Sequence, residues 1–154
     1  MSVAKHTSAA LQHLLHAFTA IPFNRMLGLE LEDITADQVT LHFKMKNELI
    51  GNFLQGILHG GVISAVLDMA GGMIVMAHAI EKHAHASTEE LIALLSKCST
   101  IDLQVSYLRP GKGTQFIAKA FLIKSGQTVS FTRMELHSDE GSLIASANAT
   151  YLMR

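Results

Sequence analysis

One carboxylate, Asp68, stands in the most apolar stretch of the chain, HGGVISAVLDMAGGMIVMAHAI over residues 59–80. Nearly every other position from Val62 to Ile80 is apolar or small. A charge buried among such residues is costly unless it is paired, hydrogen-bonded or in chemical use. His59, Gly60 and Gly61 open the same stretch. A helix starting there presents unpaired N–H groups and a partial positive charge, and glycine lets a ligand oxygen approach them closely. That environment suits a carbonyl oxygen gaining negative charge. Joined with a carboxylate able to take a proton from water, it fits acyl transfer or hydrolysis.

Spacing adds a constraint. On a helical wheel Gly61, Ser64, Ala65, Asp68, Gly72 and Ala79 fall on one side, with Val75 the main bulky member. This stripe of small residues lets a ligand or a second backbone come close, with the acid at its centre. Gly60 and Asp68 are eight residues apart, about 12 Å along a helix at ~1.5 Å per residue. A single carbonyl group cannot touch both in one chain, so the acid is expected to meet the helix start of a second copy across a two-fold axis. Each feature alone also has a structural explanation: Gly-Gly as helix packing, Asp68 as a hydrogen-bonded core residue. The combination is what points to a site.

The elements that must position these groups read as follows. Leu11, Leu14, Leu15 and Phe18 recur at helical spacing from about Thr7 to Ala20, and Pro22 stops that helix. LGLELEDI and QVTLHFKMK alternate as strands joined by the turn TADQ; in the second, Val39, Leu41, Phe43 and Met45 share a face. STEELIALLSK reads as a second helix capped by Ser87, with Glu90 three residues on. Four strand-like runs follow: TIDLQVSYL, TQFIAKAFLIK, TVSFTRMELH and SLIASANATYLM. Their short turns predict consecutive antiparallel neighbours. In the last, Leu143, Ala145, Ala147, Ala149 and Tyr151 share one face. The expected fold is α+β, one six-stranded antiparallel sheet curled round a long central helix that it encloses.

The 154 residues suit a single domain, 1–154, and 12 basic against 13 acidic residues leave no field for nucleic acid or an anionic membrane. Near-zero net charge with 49% hydrophobic residues favours association with another chain. Gln12, His13 and His16 interrupt any secretory signal, while Asp68, His59, His78 and several glycines argue against a membrane span over 57–80. A soluble cytoplasmic protein is expected. Cys98 is alone, which excludes an intrachain disulfide, and reads as a buried structural thiol. His78, Glu81, His83 and His85 straddle a helix end without a second ligand cluster, so no metal is expected. Met69, Met73 and Met76 line one flank of the central helix, as core or as the wall of an acyl tunnel, and residues 81–98 form a connection or a lid.

The order of elements, the segment N-x(6)-HGG-x(6)-D, and the runs PFNRMLGLELE, DLQVSYLRPG and ASANATYL resemble the hotdog-fold acyl-CoA thioesterases of the PaaI-like group. Within it they look closest to the YigI-type medium- and long-chain enzymes of bacteria. The resemblance spans essentially the whole chain. It implies hydrolysis of an acyl-CoA to free acid and CoA by a homodimer or dimer of dimers, with no cofactor. Gly60 matches the residue whose N–H polarises the thioester carbonyl, with His59 and Gly61 forming its turn and, with Gln55, expected to share substrate binding. Asp68 matches the general base or nucleophile, and Thr100 a hydroxyl that orients water. Relatives place Asn or Gln six residues before the histidine, where this chain has Phe53; Asn52 is favoured for that role over Gln55. Arg109, Ser125 and Gly126 look like the region that meets the CoA phosphates and pantetheine. A non-catalytic acyl-CoA sensor and an acyl hydratase are the alternatives.

Overall fold

The computed structural model describes residues 9–154; Thr7, where the first helix is expected to begin, lies outside them. Helix α1 (Ala9–Ala20) ends before Pro22, and Pro22 opens a further short helix, α2 (Pro22–Leu27). In the sequence Pro22 is legible only as a stop; its fixed φ also suits a first helical turn. Strands β1 (Glu30–Ile34) and β2 (Gln38–Lys44) pair through the expected turn. A small hairpin follows, β3 (Ile50–Asn52) with β4 (Ile57–Leu58), too short to carry a readable alternation. Then come α3 (Gly60–Lys82), α4 (Thr88–Leu95), β5 (Ser99–Tyr107), β6 (Gln115–Ser125), β7 (Val129–Ser138) and β8 (Leu143–Leu152). Ser87 caps α4 with a reciprocal capping box to Glu90, as read from the sequence.

The main sheet has six antiparallel strands in the order β1-β2-β6-β7-β8-β5. This corrects one expectation: β6, β7 and β8 are consecutive neighbours, but β5 pairs with β8 at the sheet edge. The connection Leu108–Thr114 is long enough to cross the sheet end past β8 and β7, a span of about 14 Å at ~4.8 Å per strand. It is anchored on the way, where the N–H groups of Leu108 and Arg109 donate to the Ile144 carbonyl.

Alternation decides what faces α3. Val39, Leu41 and Phe43 of β2, Phe116, Ala118 and Ala120 of β6, Met134 and Leu136 of β7, and Ala145, Ala147, Ala149 and Tyr151 of β8 are all buried. The alanines let the helix backbone lie close to the sheet, chiefly over β6 and β7. α3 is not enclosed on every side as expected. Ile63, Val66, Leu67, Ala70, Ile74 and Ala77 are buried, whereas Ser64, Ala65, Asp68 and Gly72 remain half-buried and Gly61 exposed. By length and composition α3 could cross a membrane, but half of its most apolar window is buried within the molecule, as in a core helix.

Candidate active site

The start of α3 is fixed by a close backbone approach. A Cβ on Gly51 would lie 2.5 Å from the His59 Cα, so only glycine lets β3 pass there. The His59 N–H donates to the Leu49 carbonyl at 2.8 Å, and its Nδ1 accepts the Gly61 N–H at 2.8 Å. The N–H groups of Val62 and Ile63 donate to the His59 carbonyl. Of the first helical residues, only Gly60 is left with an N–H that has no partner among the described residues. The four donors freed by any helix start are thus reduced to one. Gly61, expected to share ligand binding, has its N–H occupied by His59. The Tyr107 hydroxyl donates to the Gly60 carbonyl at 3.1 Å and steadies the same turn.

Two turns further on, Asp68 is half-buried rather than buried, at the open stripe of small residues. The Thr100 hydroxyl donates to Asp68 Oδ1 at 2.9 Å. The Tyr151 hydroxyl reaches both the Asp68 carbonyl oxygen, at 2.9 Å, and Oδ1, at 3.0 Å. Burial first, and the neighbouring carboxylate second, hold the Tyr151 phenol well above the ordinary range. It therefore stays a donor at any working pH. Cys98 lies nearby, its thiol pushed up to about 11 by burial and, to a lesser extent, by Asp68. A thiol so protonated is a poor nucleophile, in keeping with a structural role.

Thr100 reaches Asp68 because of a bulge. Leu103, Val105 and Tyr107 point toward α3, so strict alternation would turn Ile101 inward and Thr100 outward. The β5–β8 register slips between Thr100 and Asp102, pairing Thr100 with Tyr151 and Asp102 with Thr150. Ile101 becomes the extra residue and is 54% exposed, and Thr100 joins the inward face.

The remaining expected site residues are dispersed. The Asn52 side chain accepts the Leu54 N–H at 3.1 Å and shapes the turn after β3. Gln55 is exposed in that turn, whose tip carries Phe53 and Leu54, 86% and 82% exposed. Arg109 donates to the Leu143 carbonyl at 2.9 Å, at the end of the sheet near the start of α3. Ser125 and Gly126 lie at the opposite end, where with His78, Lys82 and His83 they line a cavity of about 290 Å³. Arg109 and this turn are separated by the length of β6, on the order of 30 Å. One chain does not bring them together.

The thioesterase superfamily model matches residues 55–145, from the turn before α3 to β8. The chain belongs to that superfamily. It is a thioester hydrolase. The medium/long-chain acyl-CoA thioesterase YigI of Escherichia coli strain K12 is 45% identical over 133 residues, 86% of each chain. Acyl-coenzyme A thioesterase 13 of Homo sapiens is 27% identical over 145 residues, 92% of each. A crystal structure of a Shewanella oneidensis protein related to the superfamily superposes with a TM-score of 0.90 at 40% identity, covering 94% of this chain and 95% of that one. Within this chain Thr100 is hydrogen-bonded to Asp68, and Gly60 opens the helix that carries the acid. The sequence does not reveal Tyr107 and Tyr151 as hydrogen-bond donors. The alternation puts Tyr151 on the inward face of β8, but its pairing with Asp68 across 83 residues has no local signal.

Proposed function

We propose that the chain hydrolyses medium- or long-chain acyl-CoA thioesters, with Asp68 as the base and the Gly60 N–H of a second copy as the carbonyl-binding donor. The observation that carries this is the half-buried Asp68 carboxylate, held by Thr100 on the small-residue stripe. The acyl-CoA class follows the relatives' activity. Asp68 takes a proton from water, and the water oxygen bonds to the thioester carbon. The carbonyl electron pair moves onto its oxygen against the partner's Gly60 N–H. Collapse of that intermediate expels the CoA sulfur, which takes up the proton that Asp68 holds, leaving the free acid and the base restored. Water is the only co-reactant.

The place of β5 supports a dimer. Among the described residues its outer edge is unpaired, Tyr107 at one end touches Gly60, and Thr100 at the other touches Asp68. Antiparallel pairing of two copies of β5 centred on Gln104, with Ile101 skipped as the bulged residue, sets Thr100 opposite the partner's Tyr107. Each Asp68 then faces the partner's Gly60. The exposed Phe53 and Leu54 lie on the turn that leads into this helix start and are suited to burial by the second copy. In this reading residues 1–154 work as one cytoplasmic domain, as a dimer or a dimer of dimers.

The test is a hydrolysis screen over acyl-CoAs of increasing chain length, following released thiol, with the Asp68→Asn variant alongside. Turnover that peaks at medium or long chains and drops by roughly 10²–10⁴-fold in the variant is expected. Tight acyl-CoA binding without turnover would instead make the protein a sensor.

A further inference from the structure

Thr100 and Tyr151 come from different strands, yet both donate to the same oxygen of Asp68. The other oxygen, Oδ2, accepts no hydrogen bond among the described residues. Tyr151 has one proton to give and shares it between Oδ1 and the main-chain carbonyl of the same aspartate. That bridge ties the carboxylate to its own backbone and fixes the rotation of the side chain. Its rigidity comes from the surroundings: Tyr151 is only 1% exposed. The phenol also fits because position 71 is glycine, where a Cβ would lie 2.3 Å from the hydroxyl oxygen.

We propose that Tyr151 is a positioning residue that, with Thr100, divides the work of the two carboxylate oxygens. Oδ1 is saturated by donors and is the held atom. Oδ2 keeps its lone pairs free and is the atom that accepts the proton from water. A carboxylate held by Thr100 alone could rotate about its last bond and exchange the two oxygens; the shared phenol proton prevents this. The inference rests on the proposed role of Asp68 as base and adds which atom acts and what fixes it.

Tyr151→Phe tests it, since the ring and its packing remain and only the donor is lost. The expected result is a fall in kcat of about 10- to 100-fold, the range for losing a hydrogen bond to a charged group, with KM little changed. Because both hydroxyls are needed to hold one oxygen, Tyr151→Phe and Thr100→Val are expected to be non-additive, the double variant losing less than the product of the single losses. Gly71→Ala provides an independent route, displacing the phenol while leaving it in place chemically, and is expected to show the same kcat-specific loss. Thermal unfolding of each variant is measured in parallel. Three outcomes overturn the inference: wild-type kcat in Tyr151→Phe, a rise in KM that accounts for the whole loss, or strict additivity with Thr100→Val. Asp68→Asn separates the two layers. If it is inactive and Tyr151→Phe is not impaired, only the positioning role falls. If Asp68→Asn turns over normally, the reading of Asp68 falls and takes the inference with it.

Discussion

Asp68, Thr100 and Cys98 occupy one small volume, and the residues differ in what a substitution there should reveal. Thr100→Val removes a donor while keeping shape and burial. It should lower kcat by about 10-fold or more at nearly constant KM in steady-state assays. A rise in KM with kcat preserved would move Thr100 from the chemistry to substrate binding. Cys98 makes a prediction about pH. Its folded pKa is raised from 9.0 to about 11, so between those values the folded state holds a proton that the unfolded chain has released. Stability is therefore unaffected below about pH 9 and declines as pH rises through 11. Tyr151, also raised, contributes with the same sign above about pH 10. Cys98→Ala should flatten the fall of Tm between pH 9 and 11, and an unchanged slope would assign the fall to other groups. At this scale the sequence was informative about Asp68 because an acid among apolar neighbours is conspicuous. It was silent on Tyr151, since a tyrosine on an inward strand face is ordinary and its target lies on another element.

The elements explain why legibility broke off where it did. Apolar alternation made β2, β6, β7 and β8 readable, and the Ser87–Glu90 pair marked the start of α4. The position of β5 at the edge was not readable, because strand order is set by tertiary packing over α3 and not by turn length alone. Nor was the bulge: the pattern of Leu103, Val105 and Tyr107 implies an inward Ile101, and only the slipped register turns Thr100 toward Asp68. This makes a test of the bulge itself. Exchanging the two side chains, Thr100→Ile with Ile101→Thr, conserves composition but moves the hydroxyl to the exposed face. It should cost as much kcat as Thr100→Val, and full activity would show that residue 101 faces the acid. The helix start makes a second. Gly51→Ala places a methyl group against the His59 backbone and should destabilise the protein by about 1–3 kcal/mol, the range for overpacking. Denaturant titration reads this directly, and a loss near zero would mean that β3 can yield without disturbing α3.

For the whole molecule, the question is whether two chains share each site. Two inactive proteins, Asp68→Asn and Gly60→Val, can be mixed under conditions where subunits exchange. A mixed dimer has one site with both sound residues and one with both defects. Random mixing makes about half the dimers mixed, so roughly a quarter of wild-type activity should return. The Gly60→Val homodimer must melt near the wild-type temperature for the comparison to be fair. If exchange is demonstrated and the mixture remains inactive, Gly60 and Asp68 do not work across chains. The unpaired margin of β5 offers a way to follow the same event without catalysis. In an antiparallel ladder alternate amides of an edge strand bond to the inner neighbour, and those between them point outward. In a lone chain the second set would exchange with deuterium quickly while the first is protected by β8. Covering the margin slows both sets, so the contrast between odd and even amides from Asp102 to Tyr107 becomes a gauge of association. At Ile101 the bulge interrupts that rhythm, and the odd–even order should reverse on passing from Leu103 to Thr100.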